Sequence, residues 1–121
     1  MKHHFSRLLV AIATAMLFAT SVLAAGSSNG LVTTTFVVNA TTTTTADSSV
    51  FFFENIATIP GTPTCNINQE YAMRLNTPAG KAVQSSVQLA IALGKSVFAS
   101  GDGTCSVWGD RETVNFVYIS W

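Results

Sequence analysis

Over much of residues 31–121, apart from one segment, apolar positions alternate with polar ones at the period of a strand. Over residues 31–41, Val32, Phe36 and Val38 fall on one face and Thr33, Thr35 and Asn39 on the other, which predicts a first strand. Residues 50–59 carry Phe51, Phe52 and Phe53 in a row, a pattern suited to a second strand with apolar neighbours on both faces. Pro60-Gly61-Thr62-Pro63 ends it. Between 70 and 76, Tyr71, Met73 and Leu75 alternate with Glu70, Ala72 and Arg74, giving a third strand with one solvated face. Residues 95–100 and 113–121 predict a fourth and a fifth strand, with Gly101-Asp102-Gly103 as a turn. In the fifth, Val114, Phe116 and Tyr118 oppose Val117, Ile119 and Trp121. The low-complexity run 41–49 reads as a loop or a frayed strand end.

The exception is residues 78–93. Thr77 is suited to cap a helix N-terminus, Pro78 to its first turn, and Gly94 to the left-handed position past its end. Ala79, Ala82, Val83, Ser86, Val87, Ala90 and Leu93 make a small-to-apolar stripe, and Leu89 and Ile91 widen it. The chain is therefore mainly β with one helix, ordered β-β-β-α-β-β, the order of a five-stranded OB-fold-like barrel.

Ahead of this pattern, Lys2 and Arg7 precede an apolar run from 8 to 22, and Val22-Leu23-Ala24 has a small-residue cleavage pattern. Residues 1–24 are expected to be a signal peptide cut after Ala24 or Ala25, leaving residues 25–121 as one domain with no membrane span. That segment carries four basic and six acidic side chains, a net charge of −2, which offers no footprint for nucleic acid. The expected location is the periplasm or the exterior.

Export bears on the two cysteines, Cys65 and Cys105, because paired thiols in an oxidising compartment are expected to form a disulfide. In an OB barrel the third and fifth strands run side by side and parallel, and each cysteine lies just ahead of one of them. The bridge then ties together the segments that lead into both.

The only histidines, His3 and His4, lie in the leader, so the domain lacks the residues of a Ser-His-Asp or Cys-His site and of the usual zinc sets. Asp102, Asp110 and Glu112 are the closest carboxylate cluster in sequence, and they read as a polar, solvated turn. No enzyme activity, cofactor or metal is expected. Trp108, beside Asp110 and Arg111 in the loop before the last strand, is placed either to stack on a sugar ring or to cover the disulfide and barrel end. Thr33 and Thr35 offer a second hydroxyl-bearing surface.

The run Ser86-Val87-Gln88-Leu89-Ala90-Ile91-Ala92-Leu93-Gly94-Lys95-Ser96-Val97, then Cys105, then Glu112-Thr113-Val114-Asn115-Phe116-Val117, resembles small secreted OB-fold proteins similar to the B subunits of subtilase cytotoxin and related AB5 toxins. The resemblance implies a glycan-binding subunit in a ring of five around a helix-lined pore, carrying a separate catalytic subunit. The expectation from the whole sequence is an exported, non-enzymatic domain that binds carbohydrate. The rival expectation is a structural or inhibitory domain that binds another protein.

Overall fold

A computed structural model describes residues 24–39, 49–56 and 58–121. Apart from Ala24, the expected leader lies outside the described residues, as does most of the polar run 41–49. Six strands and one helix follow in order: β1 Ser27–Gly30, β2 Thr34–Asn39, β3 Ser49–Glu54, β4 Tyr71–Arg74, α1 Pro78–Leu93, β5 Ser96–Gly101 and β6 Glu112–Ser120. They form one curled, barrel-like sheet in the order β1-β5-β6-β4-β3-β2. All neighbours are antiparallel except β4 and β6, which run parallel with Tyr71 opposite Glu112 and Ala72 opposite Thr113.

Six strands replace the expected five because β1, at residues 27–30, forms ahead of the stretch expected to be the first strand, and after a break at residues 31–33 that strand begins only at Thr34. The chain pairs as β1 with β5 over residues 27–30 and as β2 with β3 over residues 34–39, on opposite edges of the sheet. Residues 31–33 make the crossing, held by the Thr33 amide on the Glu54 carbonyl at 2.9 Å. The break also separates residues that simple alternation put on one face. Val32 packs against the main core, whereas Phe36 and Val38 pack against a second cluster on the other side of the sheet.

Phe51, Phe52 and Phe53 explain the two clusters. Phe51 and Phe53 enter the main core with Ile59, Tyr71, Val83, Val87, Ala90, Val97, Ala99 and Val114. Phe52 points the other way and joins Val50 and Ala72 beneath Phe36, Val38, Val107 and Trp108. The third strand's solvated face is accordingly corrected, since Ala72 is buried under that second cluster.

The helix has the expected bounds. Thr77 Oγ1 accepts the Gly80 amide at 3.0 Å, and Gly94 closes the last turn at φ 60°. Gly80 has no room for a side chain, because a Cβ there would overlap the Arg74 carbonyl. Only Gly80, Val83, Val87 and Ala90 are buried on α1, so the working stripe is narrower than the pattern suggested. Ala79, Ala82 and Leu93 are exposed, as are Leu89 and Ile91.

A bulge resets β6. Ser100 pairs with Phe116 but Gly101 with Val114, so Asn115 is the extra residue. Val114, Val117 and Ile119 consequently face the core together, and Phe116 and Tyr118 face out. This corrects the expected grouping of Phe116 and Tyr118 with Val114.

Candidate functional site

The Cys65–Cys105 disulfide is formed, with the two Cα atoms 6.2 Å apart. It joins the segments that lead into the parallel strands β4 and β6, as the strand order required. From Cys105 the chain runs across the outer side of β3 and β4 before turning into β6.

Trp108 is half-buried there and meets Phe52 edge to face at 5.2 Å between ring centres. A tight turn follows, with the Arg111 amide on the Trp108 carbonyl at 3.2 Å. Arg111 lays its guanidinium over Phe52 at 4.8 Å and over Phe36 at 5.5 Å. Its Nε donates to Glu70, and its Nη1 donates to Asp110 Oδ1 at 2.6 Å. Trp108, Asp110 and Arg111 therefore form one surface, with the charges of Asp110 and Arg111 directed at each other and at Glu70. Thr33 and Thr35 are not part of it. Thr33 Oγ1 lies 3.4 Å from the Glu54 carbonyl, and Thr35 sits on the side of β2 opposite to Phe36.

A second surface escaped the sequence reading. On the outward side of β1, β5 and β6, cross-strand pairing sets Ser27, Ser100 and Phe116 in one row and Asn29, Phe98 and Tyr118 in the next. Ser96 and Ser120 pair below them. The rings form a near-parallel ladder, Phe98 stacking on Tyr118 at 4.7 Å and on Phe116 at 6.0 Å. Phe116 and Tyr118 remain 45% and 51% exposed. None of these eight side chains carries a charge. The signal was present as Phe98-x-Ser100 and Phe116-x-Tyr118-x-Ser120, but the bulge at Asn115 hid which face they shared.

The interior holds polar groups on the opposite side of the same strands. Ser28 Oγ donates to Asn55 Oδ1 at 2.6 Å and lies 3.1 Å from the Tyr71 hydroxyl. Asn55 Nδ2 donates to the Val97 carbonyl at 2.7 Å, and the Tyr71 hydroxyl donates to that of Ala99 at 3.4 Å. The network ties β1, β4 and β5 to the segment after β3. Desolvation pushes the Tyr71 phenol up to about 12 from its ordinary 10, with a smaller lowering by the Ser28 hydrogen bond and a smaller rise from the Glu112 charge.

That shift has a sign. Between pH 10 and 12 the unfolded chain loses the Tyr71 proton while the folded chain keeps it, so stability falls as pH rises through this window. The expected loss is about 1–3 kcal/mol. Urea midpoints at pH 9.5 and pH 11.5 should show it in the wild type, and the Tyr71→Phe variant should lack that part of the decline.

The carboxylates also differ from a solvated turn. Asp102 Oδ1 accepts the Thr104 amide and hydroxyl, each at 2.8 Å, and stays exposed. Glu112 is fully buried. Its Oε1 accepts the amides of Gly26 at 2.8 Å and Gly103 at 3.1 Å, and its Oε2 accepts the Thr62 hydroxyl at 2.8 Å. Gly101 is the wall behind it, since a Cβ there would overlap the carboxylate. Sequence position beside Asp110 and Arg111 gave no hint of this, because adjacent strand residues point to opposite faces.

Among the described residues, no three His, Cys, Asp or Glu side chains are grouped so as to hold a metal ion. Nor is any helix long and apolar enough to cross a membrane. Over the described residues, the fold and its surfaces thus define a disulfide-bonded, curled β-sheet with one helix and two aromatic outer faces. Comparison with protein-family models, curated proteins and solved structures finds no match to this chain.

Proposed function

We propose that this is an exported, non-enzymatic carbohydrate-binding domain with an OB-like barrel. The pairing supports the barrel reading: β1 and β2 together act as one interrupted first strand, pairing on one side with β5 and on the other with β3. With six strands and the helix between β4 and β5, the curled sheet is read as a variant of the OB barrel, an architecture that binds oligosaccharides on its faces and loops.

The observation that carries the sugar reading is the uncharged outer face of β1, β5 and β6. Exposed Phe116 and Tyr118 offer rings for the C–H faces of a pyranose, and Ser27, Asn29, Ser100 and Ser120 offer hydroxyl and amide partners around them. Trp108, Asp110 and Arg111 on the other face are the weaker platform, because the charged groups already satisfy one another. The resemblance to toxin B subunits belongs to the same reading and adds a ring of five and a catalytic partner.

A glycan array probed with oxidised protein tests this. Binding should appear, and the Phe116→Ala, Tyr118→Ala double variant should weaken it by about tenfold or more. Retained binding in that variant together with loss in Trp108→Ala would move the site to the Trp108 face. Exposed Leu89, Ile91 and Leu93 on α1, with Trp121 86% exposed at the chain end, favour the protein-interaction reading instead. A chain that binds no glycan and captures a stoichiometric protein partner would establish that reading.

A further inference from the structure

Among the described residues, no cation pairs with the buried carboxylate of Glu112. Among the described residues the ion pairs formed are those of Arg111 with Glu70 and Asp110, on the outer face of the sheet. Taking a lone carboxylate out of water is costly, and three neutral donors meet that cost only in part. One of those donors is the amide nitrogen of Gly26, at 2.8 Å. Ala24 and Ala25 are exposed, whereas Gly26 is buried. Its carbonyl accepts the Gly101 amide at 2.8 Å, and the next amide, of Ser27, reaches the Pro60 carbonyl. A side chain at this position would collide with Glu112 and Ile59, so only glycine fits. The change from exposed to buried chain therefore falls at the Ala25–Gly26 bond, one residue past the bond that the Val22-Leu23-Ala24 pattern marks.

We propose that the Ala25–Gly26 bond is the processing site of this chain, and that the α-ammonium created on Gly26 is captured by Glu112 as a buried ion pair. This rests on the leader reading and is independent of the sugar. An endopeptidase of the signal-peptidase class adds water across the bond. The Ala25 carbonyl carbon keeps the hydroxyl and leaves as a carboxylate. The Gly26 nitrogen takes the hydrogen and, with an ordinary pKa near 8, binds a further proton at neutral pH.

The nitrogen that donates to Glu112 as an amide then donates from the same place as a cation. The pair supplies the missing charge and makes the finished fold depend on removal of the leader. Around this amine the titratable groups are Glu112 of β6 and, beyond it, Tyr71 of β4. Gly101 of β5 and Ile59 and Thr62 of the 59–62 segment do not titrate.

The test compares three oxidised chains: one beginning at Gly26, one beginning at Ala25, and the Gly26 chain acetylated at its α-amine. At pH 6 the free Gly26 chain should exceed both others by about tenfold in its folding equilibrium constant, the difference between a charged and a neutral hydrogen bond. The advantage should vanish as pH rises and the amine loses its proton, and the acetylated chain should show no such step. In Glu112→Gln the advantage should also be absent. Equal stabilities of the three chains at pH 6, or an exported chain whose intact mass begins at Ala25, would overturn the proposal.

Discussion

Replacing Cys65 and Cys105 together by alanine is expected to lower the unfolding free energy by about 4 kcal/mol. The bridge closes a loop with a sequence separation of 40, and that closure removes entropy from the unfolded chain. A domain of this size has a net stability of only about 5–15 kcal/mol, so the change takes a large share. The location adds to the effect. β4 and β6 share only two residue pairs, Tyr71 with Glu112 and Ala72 with Thr113, yet this parallel junction joins the two antiparallel parts of the sheet. The disulfide fixes the segments leading into both strands and so reinforces the least paired seam. Urea denaturation of the oxidised wild type and the double variant measures the difference. A loss below about 1 kcal/mol would refute the loop-entropy account.

The elements that were legible in the sequence are those set by local rules. Thr77, Pro78 and Gly94 mark the helix bounds because capping and the left-handed turn depend on the residues at those positions. Three consecutive phenylalanines marked a strand buried on both sides for an equally local reason. The disulfide was legible at one remove, from strand order and compartment. What alternation missed are the two places where the backbone leaves its period. Residues 27–30 pair as an extra strand ahead of the crossing at residues 31–33, and the bulge at Asn115 flips Phe116 and Tyr118 outward. Each is one or a few residues long and is imposed by sheet curvature, which no window of residues contains. For the same reason the candidate surface was only half legible. Trp108, Asp110 and Arg111 are sequence neighbours and were found together, whereas Ser27, Phe98 and Tyr118 meet only once β1, β5 and β6 are paired.

Glu112→Ala is expected to be the most damaging single substitution outside the apolar core, at about 3–5 kcal/mol. The carboxylate holds three separate pieces of chain: Gly26 ahead of β1, Thr62 in the segment between β3 and β4, and Gly103 after β5. Truncation leaves two buried amides and a hydroxyl without their acceptor, each worth about 1–3 kcal/mol, and opens a void against the Gly101 wall. Thr62 can still accept from Asn66 Nδ2 at 2.8 Å, so the loss on that side is partial and the amides dominate. The damage should be local first, because Gly26, Thr62 and Gly103 lose their acceptor directly, whereas Val97 and Ala99 keep their pairing with Ile119 and Val117. Amide hydrogen exchange should therefore rise at Gly101, whose amide donates to the Gly26 carbonyl, and at Gly103 before it rises at Val97 and Ala99. Uniform exchange across these four amides, or an unfolding midpoint equal to the wild type's, would show that water or a rearranged turn replaces the carboxylate, and the anchoring role of Glu112 would be lost with it.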